Sequence, residues 1–177
     1  MKENLRKEIE VPEGVTVQII DSVLTVKSSQ GEVVRDFNYP TLDVSIEDNK
    51  IIIIANNATK REKRMCGTFE SHIKNMVKGV QEKYVYKLKI CSGHFPMNVS
   101  VSGDSIVVKN FLGEKHPRKV IFPQSVIVKV NGQEVEVTSC SKETSGQIAA
   151  SIERMCRITN KDLRIFQDGI YIVSKGN

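Results

Sequence analysis

The sequence repeats itself. VPEGVTVQIIDSVLTVKSSQGE (11–32) lies over FPMNVSVSGDSIVVKNFLGE (95–114) with two single-residue gaps. Pro12 falls on Pro96, Val17 on Val101, Asp21-Ser22 on Asp104-Ser105, and Gly31-Glu32 on Gly113-Glu114. Further along, LDVSIEDNKIIIIA (42–55) lies over VIVKVNGQEVEVTS (126–139), and GTFESHIKNM (67–76) over GQIAASIERM (146–155). Three segments recurring in one order point to an internal duplication. Whatever the first half folds into, the second half must be able to build as well.

The period of the apolar residues says what that unit is. Val15, Val17 and Ile19, and again Val99 and Val101, alternate with polar residues as half-buried strands do. Asp21-Ser22 and Gly103-Asp104 are turn residues leading into a next strand. EDNK (47–50) and NGQE (131–134) read as hairpin turns between two more. The period then lengthens. Phe69, Ile73, Met76, Val77 and Val80 share one helical face, as do Ile148, Ile152, Met155 and Cys156. The expected fold is therefore α+β: two tandem duplicated domains, each a mostly antiparallel β-sheet covered by one α-helix. The helices are placed at about 60–79 and 144–157, with Gly79 ending the first in a left-handed conformation. The domains are placed at 1–82 and 83–177.

Of 177 residues, 40% are hydrophobic and 27% charged, ordinary values for folded chains. No apolar run approaches the roughly 20 residues of a spanning helix, and MKENLRKEIE lacks the apolar segment of a signal peptide, so a cytosolic, non-membrane protein is expected. Cys66, Cys91, Cys140 and Cys156 form no close pair, which favours reduced structural thiols over a metal site or disulfides. The net charge of +5 is unevenly spread. Residues 1–84 hold 13 Lys+Arg and 13 Asp+Glu, net zero; residues 85–177 hold 13 and 8, net +5. A basic face in the second half fits a polyanion.

Catalytic patterns are sparse. Cys66 with His72, or Cys91 with His94, could bring a thiol near an imidazole, but nothing in the sequence marks an orienting third group or an oxyanion site. No phosphate-cradling glycine motif and no HExxH occurs, so no cofactor, metal or small-molecule substrate is expected. A small hydrolase built on Cys91 remains the weakest reading. Two basic stretches carry more. KNFLGEKHPRK (109–119) places Phe111 and Leu112 at a turn among Lys109, Lys115, Arg118 and Lys119, with Asn110 and Gly113 at the tip as further candidate RNA contacts. Outward apolar residues among cations suit nucleic acid, with phosphates neutralised and a sugar or base face covered; the alternative is that both fold into the core. RITNKDLRIFQDGIYIVSKGN (157–177), which the first half lacks, offers Arg157, Lys161, Arg164 and Lys175, while Ile170 and Ile172 read as a core strand. KREKR (60–64) precedes the first helix, and its counterpart SKETS (141–145) is far less basic, so its charge is not required by the shared fold.

HFPMNV (94–99), NFLGEKHPRKV (110–120), SHIKNMVKGV (71–80) and above all TNKDLRIFQDGIYIV (159–173) resemble large-subunit ribosomal protein six, the L-six family (L-nine in eukaryotes), most closely its archaeal and eukaryotic branch. The resemblance implies two α+β domains bound to large-subunit rRNA near the sarcin–ricin loop and the base of the factor-binding stalk. It also implies a monomer within the ribosome, neighbouring ribosomal proteins as partners, no catalysis, and a dominant rRNA contact from the second domain. Many relatives carry a Gly-Pro-x-Gly turn in the first repeat where this chain has SSQG (28–31), so no rRNA contact is expected from that turn. A free RNA-binding module outside the ribosome is the alternative.

Overall fold

A computed structural model describes residues 3–47 and 49–176. The chain forms two compact units, Met1–Lys83 and Tyr84–Asn177. The first contains β1 (Glu3–Glu10), β2 (Thr16–Ile20), β3 (Val23–Ser28), β4 (Gly31–Asp36), β5 (Asp43–Glu47), β6 (Lys50–Ala58) and α1 (Lys60–Gln81). The second contains β7 (Tyr84–Cys91), β8 (Asn98–Ser102), β9 (Ser105–Lys109), a single 3-10 turn (Phe111–Gly113), β10 (Arg118–Ile121), β11 (Ile127–Asn131), β12 (Glu134–Ser139), α2 (Lys142–Met155) and β13 (Gly169–Ser174).

Both units use one plan, the tandem α+β arrangement read from the sequence. Each divides its strands between two sheets rather than one. In unit 1 the meander β2-β3-β4 stands apart from β1-β6-β5; in unit 2 β8-β9-β10 stands apart from β11-β12-β7-β13. All strand pairs described are antiparallel. Burial explains the division. Leu24 and Val26 of β3 join Ile51 and Ile53 of β6 and Ile73 of α1 in one apolar cluster, so each small sheet closes over its neighbour's inner face. Ile106 and Val108 of β9 meet Val135 and Val137 of β12 and Ile152 of α2 in the same way. Each such side chain contributes about 1.5–3 kcal/mol by leaving water.

α1 begins where Thr59 and Glu62 form a capping box, Thr59 Oγ1 accepting from Arg61 N–H at 3.3 Å and Glu62 accepting from Thr59 N–H at 2.9 Å. It does not stop at Gly79. The helix runs on to Gln81, Glu82 N–H donates to the Lys78 carbonyl at 2.8 Å, and the Ser28 hydroxyl donates to the Val80 carbonyl. With those terminal carbonyls satisfied, the chain leaves in an extended conformation at Glu82 and needs no left-handed glycine. α2 is shifted two residues from its expected span at both ends. Ser141 Oγ accepts from Thr144 N–H at 3.3 Å and starts the helix at Lys142; it ends at Met155, with Cys156 N–H bonded to Glu153 and Arg154 carbonyls. Gly146 of α2 lies against Tyr86, where a Cβ would stand 3.0 Å from the phenolic oxygen, so any larger residue must push the tyrosine aside.

β13 has no equivalent in unit 1. It extends the sheet beyond β7, with Ile170 opposite Ile90 and Ile172 opposite Leu88. Ile170 is buried and Ile172 half-buried, as a core strand requires. Glu153 of α2 accepts from the Ile172 N–H at 3.1 Å and ties strand to helix.

Candidate nucleic-acid interface

Eight residues separate β9 from β10, and three of them take positive φ: Asn110 (60°), Leu112 (48°) and Gly113 (80°). This tight reversal rotates Phe111 inward. Its ring is 1% exposed and lies in the core with Ile106, Val108 and Phe122. The expectation of an outward phenylalanine is therefore corrected: Phe111 anchors the loop, and Leu112 is half-buried against the same cluster.

Arg118 is also not the free phosphate-binding cation the sequence suggested. Its guanidinium sits 4.2 Å from the Phe111 ring centroid. Nε and Nη2 donate to Glu114 at 2.8 and 2.6 Å, while Nη1 donates to the carbonyls of Met155 (2.6 Å) and Arg157 (3.3 Å). Hydrogen bonding to Arg118 holds the Glu114 carboxyl below its usual range, and the same bond raises the guanidinium. Arg118 thus fastens the loop to the end of α2. Cys156 lies beneath, and burial pushes its thiol up to about 11.

A second linkage joins the segment after β7 to the chain before β13. Asp168, 1% exposed, accepts from the Gly93 N–H, from His94 N–H at 3.2 Å and from His94 Nδ1 at 2.8 Å. Burial alone would raise this carboxyl, but the Gly93 backbone donor and the His94 ring and backbone together hold it below the ordinary carboxylate value. The His94 ring stacks on Phe166 at 4.7 Å with planes 26° apart, and Lys161 Nζ lies 4.7 Å from the Phe166 centroid. Asn110 Nδ2 donates to the Pro96 carbonyl at 3.1 Å, and Gly113 lies against the Phe95 ring. Segments 91–97, 109–118 and 155–168 are therefore knit into one continuous surface.

On that surface Lys109, Lys115, Arg157, Lys161 and Arg164 are exposed. Arg164 is bonded to Asp162, Nη2 to Oδ2 at 2.7 Å, an exposed pair that exchanges readily. The carboxylates described there are engaged: Glu114 with Arg118, Asp162 with Arg164, Asp168 with His94. Two expected residues lie elsewhere. Lys119 leaves β10 on the face opposite Arg118, and Lys175 follows β13, where Gly176 packs on Tyr84 and Tyr86 at the far end of β7.

Outward apolar residues do occur among these cations, but they are Phe95 (48% exposed), Leu163 (64%) and Ile165 (63%). Sequence reasoning missed them. The only available signals were Phe95 beside Pro96 in a connection, and DLRIF breaking the apolar periodicity just before a strand. Asp168 does orient His94, which the sequence did not announce. Among the described residues, however, Cys91 makes no hydrogen bond to His94, and no cluster of three or more metal-ligating side chains occurs. Cys66 is buried within α1, and His72 Nε2 lies 3.1 Å from Arg35 Nη2.

A paired-unit α+β chain with a basic, aromatic-bearing surface on its second unit has close relatives. The family model for ribosomal protein L6 matches it twice, at residues 11–83 and 95–169. The chain belongs to the ribosomal protein L6 family. It is 45% identical over 170 residues to large ribosomal subunit protein uL6 of Methanocella arvoryzae, covering 96% of each chain. It is 44% identical over 171 residues to the uL6 protein of Methanococcus vannielii, covering 97% of this chain and 94% of that one. The uL6 protein of Methanosarcina mazei is 43% identical over 175 residues, 99% of each.

Proposed function

We propose that this chain is a structural constituent of the large ribosomal subunit and that unit 2 holds rRNA through the surface made by segments 91–97, 109–118 and 155–168. The observation that carries this is the charge arrangement. Lys109, Lys115, Arg157 and Lys161 are exposed, without a carboxylate partner among the described residues, on a surface whose described carboxylates are each engaged, so its field is open to phosphate. Phe95 adds a flat ring face of the kind structured RNA accepts, and Leu163 and Ile165 add aliphatic contact beside it. On this reading Lys109, Lys115, Arg157, Lys161 and Arg164 contact phosphates, while Phe111, Gly113 and Arg118 fix the shape that presents them. The protein would stand in the cytoplasmic large subunit near the sarcin–ricin loop and the stalk base, beside other ribosomal proteins, bracing RNA rather than catalysing a reaction.

Two measurements test this. The chain should pellet with large ribosomal subunits through a high-salt cushion; release at moderate salt would favour a free RNA-binding module. Subunits reconstituted without it should lose chemical protection at the sarcin–ricin loop. In addition, residues 84–177 should bind large-subunit rRNA fragments more tightly than residues 1–83 across a salt titration, and equal affinity would overturn the assignment to unit 2.

A further inference from the structure

A cavity of about 560 Å³ opens beyond the end of β7, between Ser92 and His94 on one side and Ile165, Gln167 and Tyr171 on the other. That volume lies within the range of sites that enclose small flat ligands. Phe166 stacks on one face of the His94 imidazole and does not line the cavity, whereas His94 does. The ring is held in place. Asp168 bonds its Nδ1 and its backbone N–H, and Asp168 is itself fixed by Gly93. Ile165 supplies apolar wall, while Ser92 and Gln167 supply polar groups. The Gln167 amide nitrogen makes only a long 3.5 Å contact to the Arg164 carbonyl. Lys161 stands beside the Phe166–His94 stack, and Arg157 and Arg164 are exposed on the same segment.

We propose that this cavity receives one unstacked base of a bound RNA. The base stacks on the open face of His94 and its edge faces Ser92 and Gln167, while the phosphate of a neighbouring nucleotide of the same strand reaches Lys161. The inference rests on the rRNA-binding reading above and adds a specific nucleotide site to it. The cation–ring–ring order favours this occupant: an RNA strand brings both a π-face to extend the stack at His94 and phosphates for the lysine at its other end, and a pre-oriented ring loses little freedom on binding.

The test compares, for the full chain, a short oligoadenylate with an abasic ribose-phosphate oligomer of equal length. The base-bearing strand should bind about tenfold more tightly, the size of one stacking contact, with the same salt slope. His94→Ala should remove that advantage and leave abasic binding in place. Because His94→Ala strands a buried carboxylate, Gln167→Ala provides a second probe: its side chain is exposed, the fold should be unaffected, and the advantage of the base-bearing strand should shrink. Equal binding of base-bearing and abasic strands by the wild type, or an advantage unchanged in both variants, would overturn the proposal. If the wild-type protein still pellets with large subunits in high salt, such a result removes the base site and leaves the ribosomal reading standing.

Discussion

At one point in the shared plan, β3 turns into β4 through two residues, whereas β9 turns into β10 through eight. In the alignment, Ser29 and Gln30 stand where unit 2 has Phe111 and Leu112. Unit 1 closes a plain hairpin, with Ser28 opposite Gly31. Unit 2 instead drives a phenylalanine into its core and covers it with Arg118, which ties the longer loop to the end of α2. A second difference lies at the sheet edge. β1 is the outer strand in unit 1, whereas the equivalent β7 carries β13, and the chain leading to β13 brings Arg157, Lys161 and Arg164. Both additions sit in the half that holds the excess positive charge. The duplication supplied a scaffold twice, and one copy was extended into a rigid charged surface.

Phe111→Ala is the substitution that should break this comparison most severely. Removing a fully buried ring costs about 3–5 kcal/mol, read as early melting of the free protein, with any loss of RNA affinity following from the loop's lost shape. Ser29→Ala at the matching place in unit 1 should change stability by less than about 0.5 kcal/mol. A Phe111→Ala protein that melts normally but binds RNA poorly would return the ring to the surface.

Arg118→Lys sharpens the same point. It keeps the charge but loses the planar fork that bonds Glu114 and two carbonyls at once. We expect a loss of about 2 kcal/mol, typical for hydrogen bonds to a charged group. If Arg118 were a phosphate contact instead, lysine would serve nearly as well and the melting temperature would not move.

Why these two residues misled a reading of the sequence is instructive. The duplication, both helical stripes and the antiparallel strands were legible because periodicity reports burial directly. Phe111 was not, because a turn's direction depends on backbone angles. Leu112 at φ 48° is a conformation that L side chains rarely adopt, and no spacing rule announces it. Glu114, four residues before Arg118, was a visible partner, but the carbonyls of Met155 and Arg157, which complete its bonding, lie 37 and 39 residues away. Gly146 shows the reverse limit. It aligns with Gly67, yet only Gly146 is pressed against a ring; a Cβ at Gly67 would meet open space. Within the candidate site the cations were legible by type, whereas their availability was decided by tertiary partners.

A smaller effect separates the units by acid. The Asp168 carboxyl titrates below its unfolded value of about 3.9. Its contribution is therefore fully present above that pH and is lost as pH falls through the lowered value. Asp168→Asn should cost about 1.5 kcal/mol near neutrality, the scale of a hydrogen bond to a charged group. The gap from wild type should close progressively below about pH 4. A gap that persists undiminished under acid would mean the carboxylate's charge is irrelevant to the linkage with His94.

The finest distinction concerns the cations themselves. Lys115 and Arg157 are exposed and have no side-chain partner among the described residues, so Lys115→Ala or Arg157→Ala should leave melting within about 0.5 kcal/mol of wild type. Each should weaken rRNA-fragment binding and reduce the salt slope by about one, as loss of a single phosphate contact does. Lys27→Ala in unit 1 is the matched control. Lys27 is equally exposed but faces Glu32 at 3.8 Å, in a half with no net charge. If Lys27→Ala lowers the slope as much as Lys115→Ala, binding follows total charge and no surface of unit 2 is special. If only the unit 2 substitutions act, and the double variant Lys115→Ala/Arg157→Ala lowers the slope by about two, the loop and the C-terminal segment, joined through Arg118, contact phosphate together.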